Sequence, residues 1–461
     1  MNTITRRSFV KQSVAAGSLV ALSSCATLPS SRKPKVRYVS PNSKMNVAFI
    51  GAGGKAKEHV DFFAAKENLV ALCDVDDARA EETYLKYPDV PRFKDFRVML
   101  DKMDKEIDAV VVTTPDHTHF VATMAAMERG IHVFTEKPLV RNIWQARTLV
   151  KAAEYYNVVT IMGNQGHATE GIRYVKEWYD AGVLGEVKEV LAWFDGPTID
   201  GKYFKRPPSY PFPTAPVPDT LDWDLWQGPV VNGTPYHPDM VPLRWRGYFE
   251  YGCAELGDWA CHTLDAPNWA LDLGAPVSTE LLQHETMFPT RYAPDKSIVK
   301  FEFAEKNGRA PVTLTWHDGG LQPAIRPEWG IETLEANGMI MIGSKATLMT
   351  GGRPDSPRLI PAEDWADFRK NVPAKTIPRI KGGHRQEWID VIKGDLPKVG
   401  SDFAYGAKLT EMSLVGVLAQ RFGGKIEYDE ENMKITNRPE LNQYIKDPVR
   451  KGWEAGDFLW S

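Results

Sequence analysis

Near its front end the chain runs Asn46-Val47-Ala48-Phe49-Ile50 straight into Gly51-Ala52-Gly53-Gly54-Lys55-Ala56, and no other stretch limits the fold so tightly. The first run predicts a buried strand, and the glycines predict a sharp turn onto a helix through Lys57 to Ala65. Gly51 permits the turn, Gly53 and Gly54 let backbone amides approach a diphosphate, and Ala56 keeps the helix close to the strand. The phosphates would sit at the helix N-terminus, where free N–H groups and the helix dipole favour negative charge. A plain structural β-α-β unit can carry the same glycines, so the acid that follows matters. A second apolar strand, Leu69 to Cys73, ends at Asp74, about twenty residues on, where this fingerprint wants an acid. Asp74 can accept from both ribose hydroxyls and repels a 2′-phosphate. That argues for NAD over NADP, with Lys55 nearby pulling the other way.

The same punctuation recurs downstream. A strand over Asp108 to Thr113 runs into Thr114-Pro115-Asp116-His117-Thr118-His119. Pro115 excludes regular sheet, which places the polar cluster at the carboxyl edge, where open α/β sheets hold ligands. Thr114, Pro115 and His119 read as cofactor-facing, with helix capping as the alternative for His119. Two histidines at i, i+2 with no third ligand nearby make no metal site. A helix over Phe120 to Arg129 leads to His132-Val133-Phe134-Thr135-Glu136-Lys137-Pro138. Lys137 would carry a donor and a positive charge into the crevice with Glu136 beside it; an ordinary surface lysine is the alternative. A helix over Trp144 to Tyr156 and a strand over Val158 to Met162 complete a parallel, doubly wound sheet. Asn164 and His167, in the polar turn that follows, should face the same crevice, Asn164 towards cofactor and His167 towards substrate, unless His167 is a loop residue in water.

At 461 residues the chain is long enough for two cored domains, and a net charge of -4 gives no support to nucleic-acid binding. Before the first strand lies an address. Thr5-Arg6-Arg7-Ser8-Phe9-Val10-Lys11 looks like a twin-arginine export signal, followed by a short apolar run from Val14 to Leu22. Leu22-Ser23-Ser24-Cys25 resembles a lipobox, in which Cys25 would carry the lipid and be the membrane contact; simple cleavage nearby is the alternative. The expected organisation is a signal over 1–30, a tether over 31–43, the nucleotide domain over 44–165, a second domain over 166–440 and a tail over 441–461. The location implied is periplasmic. Cys253 and Cys261 could pair outside the cytoplasm, and nothing requires it.

In the back half, eleven prolines fall between Pro197 and Pro242, too many for helix or central strand. Such a stretch suits a lid or binding wall. Its aromatics pin it down or meet a sugar face, and Arg244 and Arg246 near its end hold substrate or pair with surface acids. Then Asp258 and His262, four apart, share a helix face. A carboxylate one turn from an imidazole can orient the ring and raise its basicity, as a general acid/base needs; a surface hydrogen bond is the alternative. That helix is expected to kink at Pro267. Alternating runs at Val277 to Gln283, Ile298 to Phe303, Val312 to Trp316 and Met339 to Ile342 read as strands covered on one face.

The order G-x-G-G-x-A, Asp74, T-P-D-H-T-H and E-K-P resembles the Gfo/Idh/MocA family of sugar and polyol oxidoreductases. The resemblance implies a Rossmann domain followed by an α/β domain with a large, mainly antiparallel sheet, often used to form homo-oligomers. It implies that Lys137 lies beside the nicotinamide and the substrate, and that Asp258 and His262 are the family's catalytic D-x-x-x-H pair. The expected activity is hydride transfer between NAD and a carbohydrate or polyol hydroxyl, with Lys137, His167, Arg246 and His262 on the substrate and no metal. A redox-neutral glycosidase or lyase that uses resident NAD is the second reading.

Overall fold

The computed structural model describes residues 33–209 and 212–461; the export motif and Cys25 lie outside the described residues. From Asn46 to Met162 strands and helices alternate: β1 (Asn46–Ile50), α1 (Ala56–Lys66), β2 (Asn68–Cys73), α2 (Asp77–Lys86), β3 (Arg92–Phe93), α3 (Phe96–Met103), β4 (Ala109–Val112), α4 (Asp116–Met127), β5 (His132–Thr135), α5 (Ile143–Tyr156) and β6 (Thr160–Met162). The strands form one parallel sheet in the order β3-β2-β1-β4-β5-β6. Both faces are covered by helices, so β4 and β5 are buried along their whole length. α4 starts at Asp116, earlier than the apolar pattern suggests. Pro115 adopts an extended conformation just ahead of it, so His117 and His119 fall on the first turn.

The second half contributes α6 (Glu170–Asp180), β7 (Val187–Trp193), α7 (Trp223–Gln227), α8 (Ala254–Thr263), α9 (Asp265–Leu271), β8 (Ser278–Glu285), β9 (Lys296–Phe303), β10 (Val312–Asp318), β11 (Gly338–Gly343), β12 (Thr347–Gly351), β13 (Arg358–Ile360), α10 (Ala362–Phe368), α11 (Gly383–Lys393), α12 (Phe403–Phe422), β14 (Lys425–Asp429) and β15 (Lys434–Ile435). Nine strands pair in the order β13-β12-β11-β7-β10-β9-β8-β14-β15, antiparallel except for β7 against β10. β9 alternates buried and half-exposed residues, as a strand covered on one face must. The expected kinked helix is two helices: α8 stops at Thr263 and α9 begins at Asp265. Pro267 therefore lies in the first turn of α9, where its missing N–H is one the helix would leave unpaired anyway.

α12 joins the two sheets. Asp402 caps it by accepting from Tyr405 N at 2.9 Å. A Cβ at Gly406 would come within 2.9 Å of Met162 on β6, and one at Gly416 within 2.5 Å of Phe301 on β9, so both sheets approach the bare helix backbone. The C-terminal tail folds back on the nucleotide domain: Trp460 Nε1 donates to Thr148 Oγ1 at 2.9 Å and its ring stacks on Trp144. Cys73, Cys253 and Cys261 are free and buried. Among the described residues no helix is long and apolar enough to cross a membrane.

Candidate active site

The glycine turn after β1 is shaped as its residues require. Gly51 has φ +89°, and a Cβ there would lie 2.9 Å from the Thr113 backbone. A Cβ on Gly53 would lie 2.4 Å from the Arg79 carbonyl oxygen. Asp74 holds the turn: its Oδ2 accepts from Ala52 N at 2.8 Å and Gly53 N at 3.0 Å, and its Oδ1 from Asp76 N at 3.0 Å. Burial outweighs these bonds and moves its carboxyl above the usual range.

From this turn a cleft of about 940 Å³ runs along the carboxyl ends of β1, β4 and β5. Gly51, Gly53, Gly54, Asp74, Thr114, Pro115, His119, Glu136 and Lys137 line it from the nucleotide domain, and Arg246, Asp258 and His262 from the second. Ala56 is buried under the first turn of α1. His119 braces the floor, its two ring nitrogens 2.9 Å from the carbonyl oxygens of Pro138 and Thr114. Glu136 receives His59 Nε2 at 2.9 Å. Burial alone would raise the Glu136 carboxyl, but the His59 bond and the nearby cations hold it far below the ordinary range.

The proline-rich stretch forms the roof. Leu221, Leu225 and Trp226 face the cleft opposite Asp74 and Asp76. Main-chain bonds stitch them down: Asp77 N donates to Thr220 O at 3.0 Å and Asp222 N to Val75 O at 2.9 Å. His117 Nε2 donates to the Trp226 carbonyl at 2.7 Å, and the Trp223 ring stacks on Trp226. Most of these aromatics pin the stretch to the body of the protein.

Two charged groups from opposite halves meet at the far end. Lys137 Nζ lies 3.1 Å from Asp258 Oδ1 and donates to the Asp258 carbonyl at 2.9 Å. Arg246 Nε lies 3.4 Å from the same Oδ1. Burial alone would discharge Lys137, but Asp258 outweighs it and raises the ammonium. Burial likewise opposes charge on Asp258, and Lys137 and Arg246 overcome it, lowering the carboxyl. Asp258 is thus committed to two cations, and the expected orientation of His262 by Asp258 is not what the fold builds. His262 Nδ1 is buried with no hydrogen-bond partner among the described residues. Burial first, then Lys137 and Arg353, hold the imidazole well below its usual range, so it is neutral.

Two expected ligands fall elsewhere. Asn164 Nδ2 donates to Asp265 Oδ2 at 3.0 Å and Asn164 Oδ1 accepts from Ser401 Oγ at 2.6 Å. His167 Nδ1 meets Asp265 Oδ1 at 2.9 Å, and its ring packs on Trp269 and Tyr405. Neither lines the cleft. Gln165, between them, does line it, while the unforeseen Asp265 carboxylate at the start of α9 gathers Asn164 and His167 into a buried network.

The sequence reading also missed Asp116, Glu255, Trp259 and Arg353, all of which line the cleft. Asp116 was legible as the acid between Pro115 and His117. Burial and then the Asp258 charge push its carboxyl up to about 7. Glu255 precedes Asp258 by three on the same helix, a spacing that could have flagged it. Arg353 follows β12, and only the chain's return brings it over the Trp259 ring at 4.8 Å.

The cleft fits a dinucleotide. The turn packs so closely on Thr113 and Arg79 that only residues without side chains fit at 51 and 53, which leaves its backbone bare along the cleft, and Thr114 Oγ1 is a buried atom of a lining residue without a partner among the described residues. No group of three or more His, Cys, Asp or Glu among the described residues is placed to hold a metal ion.

A family model described as an oxidoreductase family with an NAD-binding Rossmann fold matches residues 45–164. One for the oxidoreductase family's C-terminal α/β domain matches residues 172–286. The chain is 31% identical over 149 residues to D-glucoside 3-dehydrogenase of Escherichia coli, covering 32% of this chain and 42% of that protein. It is 33% identical over 175 residues to an alpha-N-acetylgalactosaminidase of Shewanella oneidensis, covering 33% of this chain and 38% of that protein. These matches thus span less than half the length of either relative. The WlbA dehydrogenase of Bordetella pertussis, solved with NADH and UDP-GlcNAcA, superposes with a TM-score of 0.58 at 17% identity, covering 84% of this chain and 99% of that one. That likeness is one of fold.

Proposed function

Because this chain belongs to the Gfo/Idh/MocA oxidoreductase family, we propose that it transfers hydride between a hydroxyl of a sugar, glycoside or polyol and a tightly held NAD. One observation carries the reading: Lys137, beyond β5, and His262, on α8, line the same cleft as the glycine turn. Bound along that turn, the nicotinamide would supply the hydride acceptor. Lys137, kept charged by Asp258, donates a hydrogen bond to the substrate oxygen and stabilises the negative charge developing there. His262, neutral and unpartnered at Nδ1, takes the hydroxyl proton. The raised ammonium of Lys137 has no lone pair free for that proton, which supports His262 over Lys137 as the acceptor. Asp258 acts on the lysine, and Arg246, sharing that carboxylate, stands ready for further substrate hydroxyls.

A second reading has one observation in its favour. Asp116, with its carboxyl pushed up to about 7, could protonate a leaving glycosidic oxygen. In that cycle transient oxidation at a ring carbon acidifies the neighbouring C–H, the aglycone is eliminated, water adds across the double bond so formed, and the ring carbon is reduced again. Mass spectrometry of the small molecule released on denaturing natively purified protein tests for resident NAD. Incubation with aryl glycosides then separates the readings: net NADH formation supports the dehydrogenase, and aglycone release without added cofactor supports the cycle.

We also propose export through the twin-arginine motif, anchorage through Cys25 and self-association through the second sheet. The stitched roof supports the first of these alone, because an exported enzyme meets little free NAD and has to retain its own.

A further inference from the structure

Glu255 stands one turn before Asp258 on α8, and both line the substrate end of the cleft. Lys137 at 3.1 Å and Arg246 at 3.4 Å both go to Asp258, and the third cation at that end, Arg353, lies over the Trp259 ring. Glu255, 5% exposed, makes no hydrogen bond or ion pair with any described residue. The chain leaving β7 lies against it, since a Cβ on Gly196 would lie 3.2 Å from Glu255 Oε2. Its acidic neighbours are Asp258 on its own helix and Asp318 at the end of β10. Asp318 is already served by Ser297 Oγ at 2.8 Å, Trp316 Nε1 at 3.1 Å and Gln420 Nε2 at 2.9 Å, and gives Glu255 no donor.

An enclosed carboxyl between two acids, without a cation of its own, is more stable as the uncharged acid. Burial first, then Asp258 and Asp318, move Glu255 well above the ordinary carboxyl range, against the weaker pull of Lys137 and Arg246. The acid form carries one O–H, and a buried donor left without an acceptor is costly. The open side of Glu255 is the cleft, so a ligand that displaces water from it has to supply the acceptor.

We propose that Glu255 is a specificity-determining residue whose carboxyl donates a hydrogen bond to an oxygen of the bound sugar other than the one oxidised between Lys137 and His262. The proposal rests on the oxidoreductase reading of the cleft and adds to it the demand for a second acceptor oxygen, from a hydroxyl, the ring or a glycosidic bond. A sugar lacking that oxygen leaves the Glu255 O–H unpaired and binds less well.

Two measurements on the full chain test this. Infrared difference spectra between wild type and Glu255→Gln at neutral pH should show the carbonyl band of a protonated carboxylic acid; a carboxylate band in its place overturns the proposal. Kinetics with methyl β-D-glucopyranoside and its monodeoxy analogues form the second arm. Glu255→Met should raise KM for the parent roughly ten- to hundred-fold yet leave KM for one deoxy analogue within about threefold. Glu255→Gln, which keeps a donor, should lose less. Equal weakening of every analogue, or a fall in kcat alone, overturns the proposal. Circular dichroism confirms that the variants fold. If the wild type forms NADH from none of these sugars and releases no nucleotide, the oxidoreductase reading fails, and the infrared arm alone decides Glu255.

Discussion

Lys137 and Asp258, 121 positions apart, are joined twice: Nζ lies 3.1 Å from the Asp258 carboxylate and donates to the Asp258 carbonyl at 2.9 Å. The pair ties the end of β5 to the second turn of α8, so the two halves of the cleft are fixed by the residues proposed to do the chemistry. A buried ion pair of this kind is weak support for stability, because desolvation offsets much of its attraction. Its role here is to keep an ammonium charged and aimed in a place where burial alone would discharge it.

Lys137→Met removes that ammonium and leaves Asp258 facing Arg246 alone. In steady-state assays of NADH formation, kcat/KM should fall roughly 10²–10⁴-fold, with bound nucleotide retained. Loss of nucleotide along with activity would make Lys137 a cofactor ligand and remove it from the proton chemistry.

His262 is lowered from 6.5 by burial, then by Lys137 and Arg353, and a base works in its deprotonated form. Activity should therefore persist as pH falls through the ordinary histidine range. Arg353→Gln removes one of the charges that depress His262, so the acid limb of the kcat/KM profile should move to higher pH. An unmoved limb would separate Arg353 from the proton acceptor.

Asp116 gives a stability test with a definite sign. Its carboxyl is raised from 3.8 to about 7, so between those values the folded state binds the proton and the unfolded state does not. Stability from this group is present below the unfolded value and is lost as pH rises through the folded one. In urea unfolding, Asp116→Asn should gain on the wild type by up to about 4 kcal/mol as pH rises across that window. A constant difference would show that Asp116 does not titrate there.

Gly53→Val places side-chain atoms where a Cβ already lies 2.4 Å from the Arg79 carbonyl oxygen. The turn and α2 have to move apart, so stability should fall as well, and the nucleotide recovered per folded chain should drop more than roughly tenfold, equivalent to about 1.4 kcal/mol. Chromatography of the denatured supernatant reads this directly.

Trp226→Ala empties the centre of the roof, between Trp223, His117 and Tyr251. It should cost about 3–5 kcal/mol of stability and speed the exchange of bound nucleotide against labelled NAD. Unchanged exchange would mean that the roof is structural and does not retain the cofactor.

What the sequence determined by itself was local in origin. The glycines at 51 and 53, Asp74, the apolar runs of β1, β2, β4 and β5, and the breaks at Pro115 and Pro138 each act within a few residues or one β-α-β unit. They specify the parallel sheet, its ligand edge and the lysine at that edge. The pairing of Asp258 and His262 on one helix face was legible for the same reason. The partner of Asp258 was not, because Coulomb attraction selects from everything the fold brings near, and Lys137 and Arg246 arrive from distant segments. The same physics took Asn164 and His167 away from the cleft: Asp265, at the start of α9, offers both a buried acceptor, and polar groups leaving water go where they can be paired. Arg353 over Trp259, and Glu255 between two acids with no cation of its own, exist only once α8, β10 and β12 are assembled, because burial and the electric field at a side chain are properties of the packed molecule.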